Sequence, residues 1–551
     1  MTVLSHRSER LDEVRKGLVG ADQMLVTPFG EKPFLYADYT ASGRALRQVE
    51  DVVGRLMADY ANPHSEDSAT GRASNRWMRE AEAVIRMAVN AAPDDCLLPC
   101  AAGATGAIHK LQEILGLAVA PASRAALGVS AGPVGQTVVF VGPYEHHSNE
   151  LSWRDSLAEV VMIGLDPAGG IDLEALAVAL ADPRFDGWRK IGAFSAASNV
   201  TGIRTDVSAL ARCLHAHGAI LCLDCAASAP YQPIDMHPAR DPQAAIDAVY
   251  FSPHKFVGGP GACGILVFNE RLYRRDLPPT QSAGGTVRYV WRDGHDFLES
   301  IEARERAGTP GLPQLVRAAL AMQIQSEVGA DVITEREHAA LEAAFADWCP
   351  HPRIEVLGCQ LPARRLGIVA FNLRNAAGEL VEPRLVTLLL NDLFGIQSRA
   401  GCSCAGPYGH HLLGIDDDTT REIRARVLSG EVGARPGWCR VSLHWIMSEA
   451  EIRYLIDAVC FLAEHVDFFT GFYDRDVVSG GWRWAGDPIG NDVVWPASLL
   501  DRHLETPDAS AARSGADDAD RLQAPFRSAR EMVRVFRGPD LGPRNVELID
   551  A

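Results

Sequence analysis

The stretch Tyr250-Phe251-Ser252-Pro253-His254-Lys255-Phe256-Val257-Gly258-Gly259-Pro260-Gly261 sets one lysine in a polar, glycine-rich turn. The run before the lysine is Ala248-Val249-Tyr250-Phe251 and the run after the turn is Gly264-Ile265-Leu266-Val267-Phe268, so the pattern predicts two buried strands with the turn between them. An ammonium group is costly to bury unpaired, so a lysine held there should be paired, covalently modified or lowered in pKa. The plain alternative is a surface turn lysine whose charge reaches water.

Upstream, the apolar strand pattern Ala219-Ile220-Leu221-Cys222-Leu223 ends on Asp224. Open parallel sheets hold ligand-binding groups at the carboxyl ends of their strands, although an aspartate there is also a common helix N-cap. Taken with Lys255, Asp224 forms the pair that a pyridoxal 5'-phosphate (PLP) enzyme needs. The lysine makes the Schiff base, and the aspartate keeps the pyridine nitrogen protonated so that the ring draws electrons.

Composition narrows the class. The 551 residues are 47% hydrophobic and 23% charged, the balance of a soluble globular protein with a sizeable core, and the length fits two domains plus tails. A formal net charge of −18 argues against nucleic acid or an anionic membrane as partner and leaves small substrates and proteins. No stretch reaches the roughly 20 apolar residues of a membrane helix. Met1-Thr2-Val3-Leu4-Ser5-His6-Arg7 lacks a signal-peptide core, so a cytoplasmic protein is expected. The 12 cysteines, several of them in apolar runs (Cys213, Cys222, Cys263, Cys460), read as reduced buried thiols. Cys222-Leu223-Asp224-Cys225 has the spacing of half a zinc site. Strand alternation turns its two thiols to opposite faces and no second half lies near, so no metal is expected.

Strand and helix patterns alternate from residue 96 to residue 268, the signature of a mostly parallel sheet with crossover helices. Residues 96 to 108 run from a strand through Gly103-Ala104-Thr105 into a helix, whose free N–H groups make an anion site that small residues leave open. The strand Thr137–Val141 leads to Glu145-His146-His147-Ser148-Asn149, and the strand at residues 191 to 197 leads to Ser198-Asn199-Val200-Thr201-Gly202. Residues 8 to 18 read as a helix in an N-terminal arm, residues 117 to 136 as an Ala/Gly/Ser-rich loop, and residues 311 to 348 as a long helical stretch. Further on, Gln397-Ser398-Arg399-Ala400-Gly401-Cys402-Ser403-Cys404-Ala405 sets two thiols in a loop beside an arginine. A thiol so placed is partly thiolate, the nucleophilic form; structural thiols or chance metal ligands are the plain alternatives. Gly437-Trp438-Cys439-Arg440-Val441-Ser442-Leu443 carries an arginine whose planar fork suits a carboxylate, or an ordinary salt bridge.

These motifs, in this order, resemble those of the class V aminotransferases, fold-type I PLP enzymes, and within that group the cysteine desulfurases. The likeness runs from about Tyr36 to about Val466. It implies an α/β fold: an N-terminal arm (1–33), a large PLP-binding domain on a mostly parallel seven-stranded sheet flanked by helices (34–310), a smaller α+β domain (311–466) and an extension of unassigned role (467–551). It also implies that Lys255 binds PLP covalently and moves the substrate Cα proton, and that Asp224 protonates the ring nitrogen. By the same resemblance, His146 stacks on the ring and takes part in proton transfer, and Asn199 bonds the phenolic oxygen. Gly103, Ala104, Thr105, Ser252 and His254 would hold the phosphate, joined by Thr309 across a homodimer interface. Arg440 would take the substrate carboxylate, with Arg399, the Asn62-Pro63-His64-Ser65 loop and residues 34 to 43 beside the substrate. The spacing Arg399-x-Gly401-x-x-Cys404-Ala405 matches that of the desulfurase loop, which makes Cys404 the nucleophile that turns L-cysteine into alanine and passes its persulfide sulfur to an acceptor protein. Cys402 resembles the first cysteine of the pair in molybdenum cofactor sulfurases.

One position departs from the desulfurase pattern: Ala227 stands where a glutamine commonly reaches the phenolic oxygen, which leaves that oxygen one protein partner fewer. Beyond about residue 467 the resemblance ends. There an aromatic stretch (Phe468, Phe469, Phe472, Tyr473, Trp482, Trp484, Trp495) precedes an Ala/Asp/Ser-rich run at 505 to 520, read as flexible, and a helix at 524 to 535. Its tryptophans could cover a dimer, an acceptor surface or their own domain. Two other readings stay open: an epimerase, transaminase or carbon-sulfur lyase in which Cys404 is incidental, and a non-catalytic descendant, against which stand Lys255, Asp224 and Arg440.

Overall fold

In the computed structural model, which describes residues 3–128, 136–486 and 515–536, a seven-stranded sheet forms the larger layer. Its strands lie in the order Asp95–Cys100, Gly264–Asn269, Ala248–Phe251, Ile220–Asp224, Arg189–Ser195, Thr137–Val141, Glu159–Met162. The strands from Ala248–Phe251 to Glu159–Met162 pair in parallel, while Gly264–Asn269 runs antiparallel to both of its neighbours. Thr137–Val141 and Ala248–Phe251 are buried along their whole length, as strands covered by helices on both faces must be. The crossover helices Leu173–Leu180 and Val207–Ala216 start on aspartates, Asp172 and Asp206, whose side chains accept the N–H of Ala175 and Ala209.

A second, antiparallel sheet has the order Ile354–Val356, Ile368–Leu373, Trp438–Ser442, Arg399–Gly401. The helices Pro383–Phe394 and Glu449–Thr470 flank it, the latter opened by a reciprocal cap between Ser448 and Glu451. The expected long helical stretch is two helices, Leu312–Val328 and Ala330–Trp348, broken at Gly329, where φ is +91°. The first packs on Ala69–Ala88 beside the large sheet and the second on Glu449–Thr470 beside the small one, so the chain changes layers at that glycine.

The segment after the arm ties the layers together. Leu35–Tyr36 pairs in parallel with Ile396–Gln397, Ser442 N donates to Ala37 O at 2.7 Å, and Gly43 N donates to His254 O at 2.9 Å in the lysine turn. A Cβ on Gly43 would lie 1.9 Å from Phe256 O, so a glycine is what lets this segment rest on the turn.

Two expectations change. The Ala-rich stretch read as a loop contains the helix Pro121–Leu127, for which proline suits the first position and alanine the interior; residues 129–135 lie outside the described residues. The last helix starts earlier than its apolar pattern suggests, at Gly515–Phe536. It lays Leu522, Phe526, Ala529 and Val533, one helical face, on the small layer, with the Phe526 ring 4.9 Å from that of Phe394. Trp482 and Trp484 pack on their own chain: Trp482 Nε1 donates to Glu382 Oε2 at 2.6 Å, and Trp484 meets Phe29 edge-on at 4.9 Å. Trp495 and residues 505–514 lie outside the described residues. Among the described residues no helix is long and apolar enough to cross a membrane.

Candidate active site

A cavity of about 220 Å³ opens between the two layers, at the carboxyl ends of the central strands. Lys255 enters it from the short turn Pro253–Lys255 that follows Ala248–Phe251, and Asp224 from the end of the neighbouring strand. Lys255 is half-buried, its accessible surface facing the cavity it lines. Loss of water there holds its amine down to a pKa of about 8, with Asp224 opposing the shift. Asp224 itself is buried and accepts the Ala226 N–H at 2.8 Å; burial raises its carboxyl pKa, and that bond and Lys255 pull it back.

The helix Gly103–Ile114 points its N-terminus at the same space. Its N-cap, Ala102, has no side chain to satisfy the first N–H groups, and Ala104 N is bound instead by Ser252 Oγ at 2.8 Å. Gly103 has φ +62°, and a Cβ on it would stand 2.8 Å from Ser252 Oγ and 3.0 Å from His254, filling the cradle. Thr105 Oγ1 lies 2.7 Å from Ser148 Oγ.

Below His146 lies a buried polar network. Glu145 accepts from Ser195 N at 2.9 Å, from Ser195 Oγ at 2.6 Å and from Asn149 Nδ2 at 2.6 Å, while Asn149 Oδ1 accepts from Tyr250 OH at 2.6 Å. Burial outweighs these donors and pushes the Glu145 carboxyl up to about 8. His146 is driven the other way, to about 4, by burial and then by the nearby cations Lys255, Arg440 and Arg399.

The small layer supplies the opposite wall. Arg440 is 3% exposed, and its Nη2 donates to Asp38 Oδ1 at 2.9 Å and its Nη1 to Asn199 O at 2.9 Å. Arg399 is its direct partner across the ladder, and both line the cavity. Two guanidinium groups placed opposite each other repel unless an anion sits between them, so this wall suits a carboxylate. Cys404 lines the cavity from a loop held on three sides: Asn199 Nδ2 donates to Ser403 O at 2.7 Å, His147 N donates to Cys404 O at 2.8 Å, and Gly406 N donates to His147 Nε2 at 3.0 Å. Ser403 and Cys404 both adopt the left-handed region, at φ 50° and 57°.

The family model for class V aminotransferases ("Aminotransferase class-V") matches residues 35–455. The chain belongs to this family. A relative from Streptomyces coelicolor named "Probable cysteine desulfurase" is 25% identical over 442 residues, covering 79% of this chain and 93% of that protein. Another of that name, from Halalkalibacterium halodurans, is 27% identical over 380 residues and covers 68% and 85%. Among solved structures, a cysteine desulfurase of Thermococcus onnurineus has the same fold at a TM-score of 0.64 and 21% identity, covering 82% of this chain and 98% of its own. Class V enzymes use PLP, and PLP is the cofactor of this chain. The residues fit it: a lysine and an aspartate meet in one cavity beside an uncapped helix start that a single Cβ would block.

Of the residues read from the sequence, Ala104, Thr105, His146, Asn199, Asp224, Ser252, His254, Lys255, Arg399, Cys404 and Arg440 line this class V cavity, and Gly103 stands at its cradle. Asn62 and Thr309 do not line it; Asn62 Nδ2 donates to Thr309 Oγ1 at 3.2 Å elsewhere on the molecule. Cys402 packs instead against an apolar cluster. Ala227 lines the cavity with no polar side-chain atom to offer. Sequence reading missed Ser195, Ser148 and Ser403 as lining groups. Ser195 had a signal, its place at a strand's carboxyl end, whereas Ser148 in the short turn His147–Asn149 and Ser403 in a loop had none.

Proposed function

We propose that this enzyme is a cysteine desulfurase: it converts L-cysteine to L-alanine and keeps the sulfur as a persulfide on Cys404. The observation that carries this reading is that a cavity thiol, Cys404, stands in one space with Lys255, Asp224 and the Arg440 wall. The desulfurase names of the relatives support it at modest identity.

Bound in the cavity, PLP supplies an electron sink that weakens the bonds at the substrate Cα. Lys255 holds the cofactor and, as a free amine, moves the Cα proton. Asp224 would hold the proton on the ring nitrogen, Asn199 would serve the phenolic oxygen, and Ser252, His254 and the start of the Gly103–Ile114 helix would hold the phosphate. Arg440, with Arg399 opposite, orients the substrate carboxylate. The Cys404 thiolate then forms an S–S bond to the substrate sulfur as the C–S bond breaks, its electron pair and one proton going to carbon to give alanine. A homodimer with Thr309 and Asn62 serving the neighbouring site, a cytoplasmic setting that keeps the thiols reduced and a sulfur-acceptor protein complete the proposal. We take residues 34–310 and 311–466 as its two working domains, residues 1–33 as an arm and residues 467–551 as an extension.

The test is to incubate the PLP-loaded protein with L-cysteine, quantify alanine, and weigh the peptide carrying residues 402 and 404 in wild type, Cys402→Ala and Cys404→Ala. Alanine formation and a gain of one sulfur in the first two, with neither in the third, is the expected result. Wild-type alanine output from Cys404→Ala would remove the desulfurase reading in favour of another class V reaction.

A further inference from the structure

His146 caps the short turn His147–Asn149, and its ring turns back on its own backbone. Ser148 N donates to His146 Nδ1 at 3.1 Å, and Ser148 Oγ lies 3.1 Å from the same nitrogen. A backbone amide can only donate. Nδ1 is therefore the acceptor, and in the neutral ring the proton belongs to Nε2. The Ser148 hydroxyl also reaches Thr105 Oγ1 at 2.7 Å, so one residue is fastened both to the ring and to the start of the anion-cradling helix.

We propose that Ser148 is a positioning residue that fixes His146 as its Nε2–H tautomer, so that the ring meets cofactor and substrate as a hydrogen-bond donor and not as a base. Taking a proton at Nε2 is blocked because that nitrogen already carries one. Taking one at Nδ1 would displace the Ser148 amide on the side held by the chain's own turn. The proton at the substrate Cα is then left to Lys255, which enters the same cavity and whose amine is held down to about 8 by burial. This inference rests on the reading of His146 as part of the PLP site. It gives that residue one definite task, which is donating from Nε2 to an acceptor on the bound molecules.

Long-range proton–nitrogen NMR of the PLP-loaded, histidine-labelled protein near neutral pH tests it, with the His146 signals identified by their loss in His146→Gln. The expected pattern is a neutral ring protonated at Nε2, unchanged in Ser148→Ala, which keeps the amide donor. A ring protonated at Nδ1, or at both nitrogens, would overturn the proposal. Turnover gives a second arm. Glutamine offers an N–H near the place of Nε2, so His146→Gln should stay within about tenfold of wild type, whereas His146→Ala should fall about 100- to 1,000-fold, the usual cost of one lost donor. Equal collapse of both variants would also overturn it. A protein that shows the Nε2–H pattern but makes no alanine would lose the desulfurase reading and keep this one.

Discussion

Asn199 and Ser403, 204 residues apart in sequence, share a buried hydrogen bond of 2.7 Å from amide Nδ2 to carbonyl oxygen. The carbonyl of Asn199 also accepts from Arg440, so one residue of the large layer grips both the carboxylate wall and the loop that bears Cys404. That loop needs the grip. Two consecutive left-handed residues that are not glycine cost about 1–3 kcal/mol each and persist only where neighbours hold them.

Asn199→Ala should therefore loosen the loop. One lost hydrogen bond is worth about 0.5–1.5 kcal/mol, so alkylation of Cys404 in the cofactor-free protein should speed up by about 2- to 10-fold, read by mass spectrometry of the loop peptide. An unchanged rate would show that the two histidine contacts suffice.

Covalent capture of PLP needs Lys255 as a free amine. With that amine held down to about 8 by burial, the capture rate should rise through about pH 8 and level off, as followed by visible absorbance. A rate still climbing towards the ordinary lysine range would mean that the turn leaves the amine in water. Lys255→Ala should hold PLP without a reducible bond.

Glu145 should tilt stability with pH. Its folded pKa, about 8, lies above its ordinary value of 4.5, so the folded state binds the extra proton. Its contribution is complete below about pH 4.5 and is lost as pH rises through about 8. Glu145→Gln should flatten that slope, and Tm measured at intervals from about pH 5 to pH 8 would show the two proteins diverging if the carboxyl titrates as described.

Arg440→Lys keeps the charge but loses the fork that spans Asp38 and Asn199. The KM for L-cysteine should rise about 10- to 100-fold, the worth of one charged hydrogen bond, with PLP absorbance unchanged. Unaltered KM would move the carboxylate site to Arg399.

Phe526→Ala removes the ring that fits among Phe394, Tyr454 and Phe461, and should cost about 3–5 kcal/mol of stability. The helix that carries it adds nothing to the cavity lining, so PLP binding should survive while Tm drops.

The residues legible in the sequence share one property: Asp224, Asn199, His146 and Lys255 each follow their own apolar strand, and a parallel sheet gathers strand ends however its helices pack. Cys404 and Arg440 are readable from short motifs that resemble those of the desulfurases. Pairings across distance leave no local trace, which is why Asp38 gave no sign of Arg440, nor Asn199 of Ser403. A glutamate beside two histidines reads as a solvated charge, and only the converging donors of Ser195 and Asn149 explain its burial. The direction of Gly264–Asn269 was likewise hidden, because an apolar run reads the same whichever way the strand lies.

The ladder between Leu35–Tyr36 and Ile396–Gln397 also imposes an order on the making of the protein. Chains grow at roughly 5–20 residues per second, so the early strand leaves the ribosome on the order of tens of seconds before its partner exists. Through that interval Asp38 has no guanidinium to meet, since Arg440 is made later still. The strands that present Asp224 and Lys255 are complete by then. A nascent chain thus carries Asp224 and Lys255 before it has the Arg440 wall against which a substrate would be held.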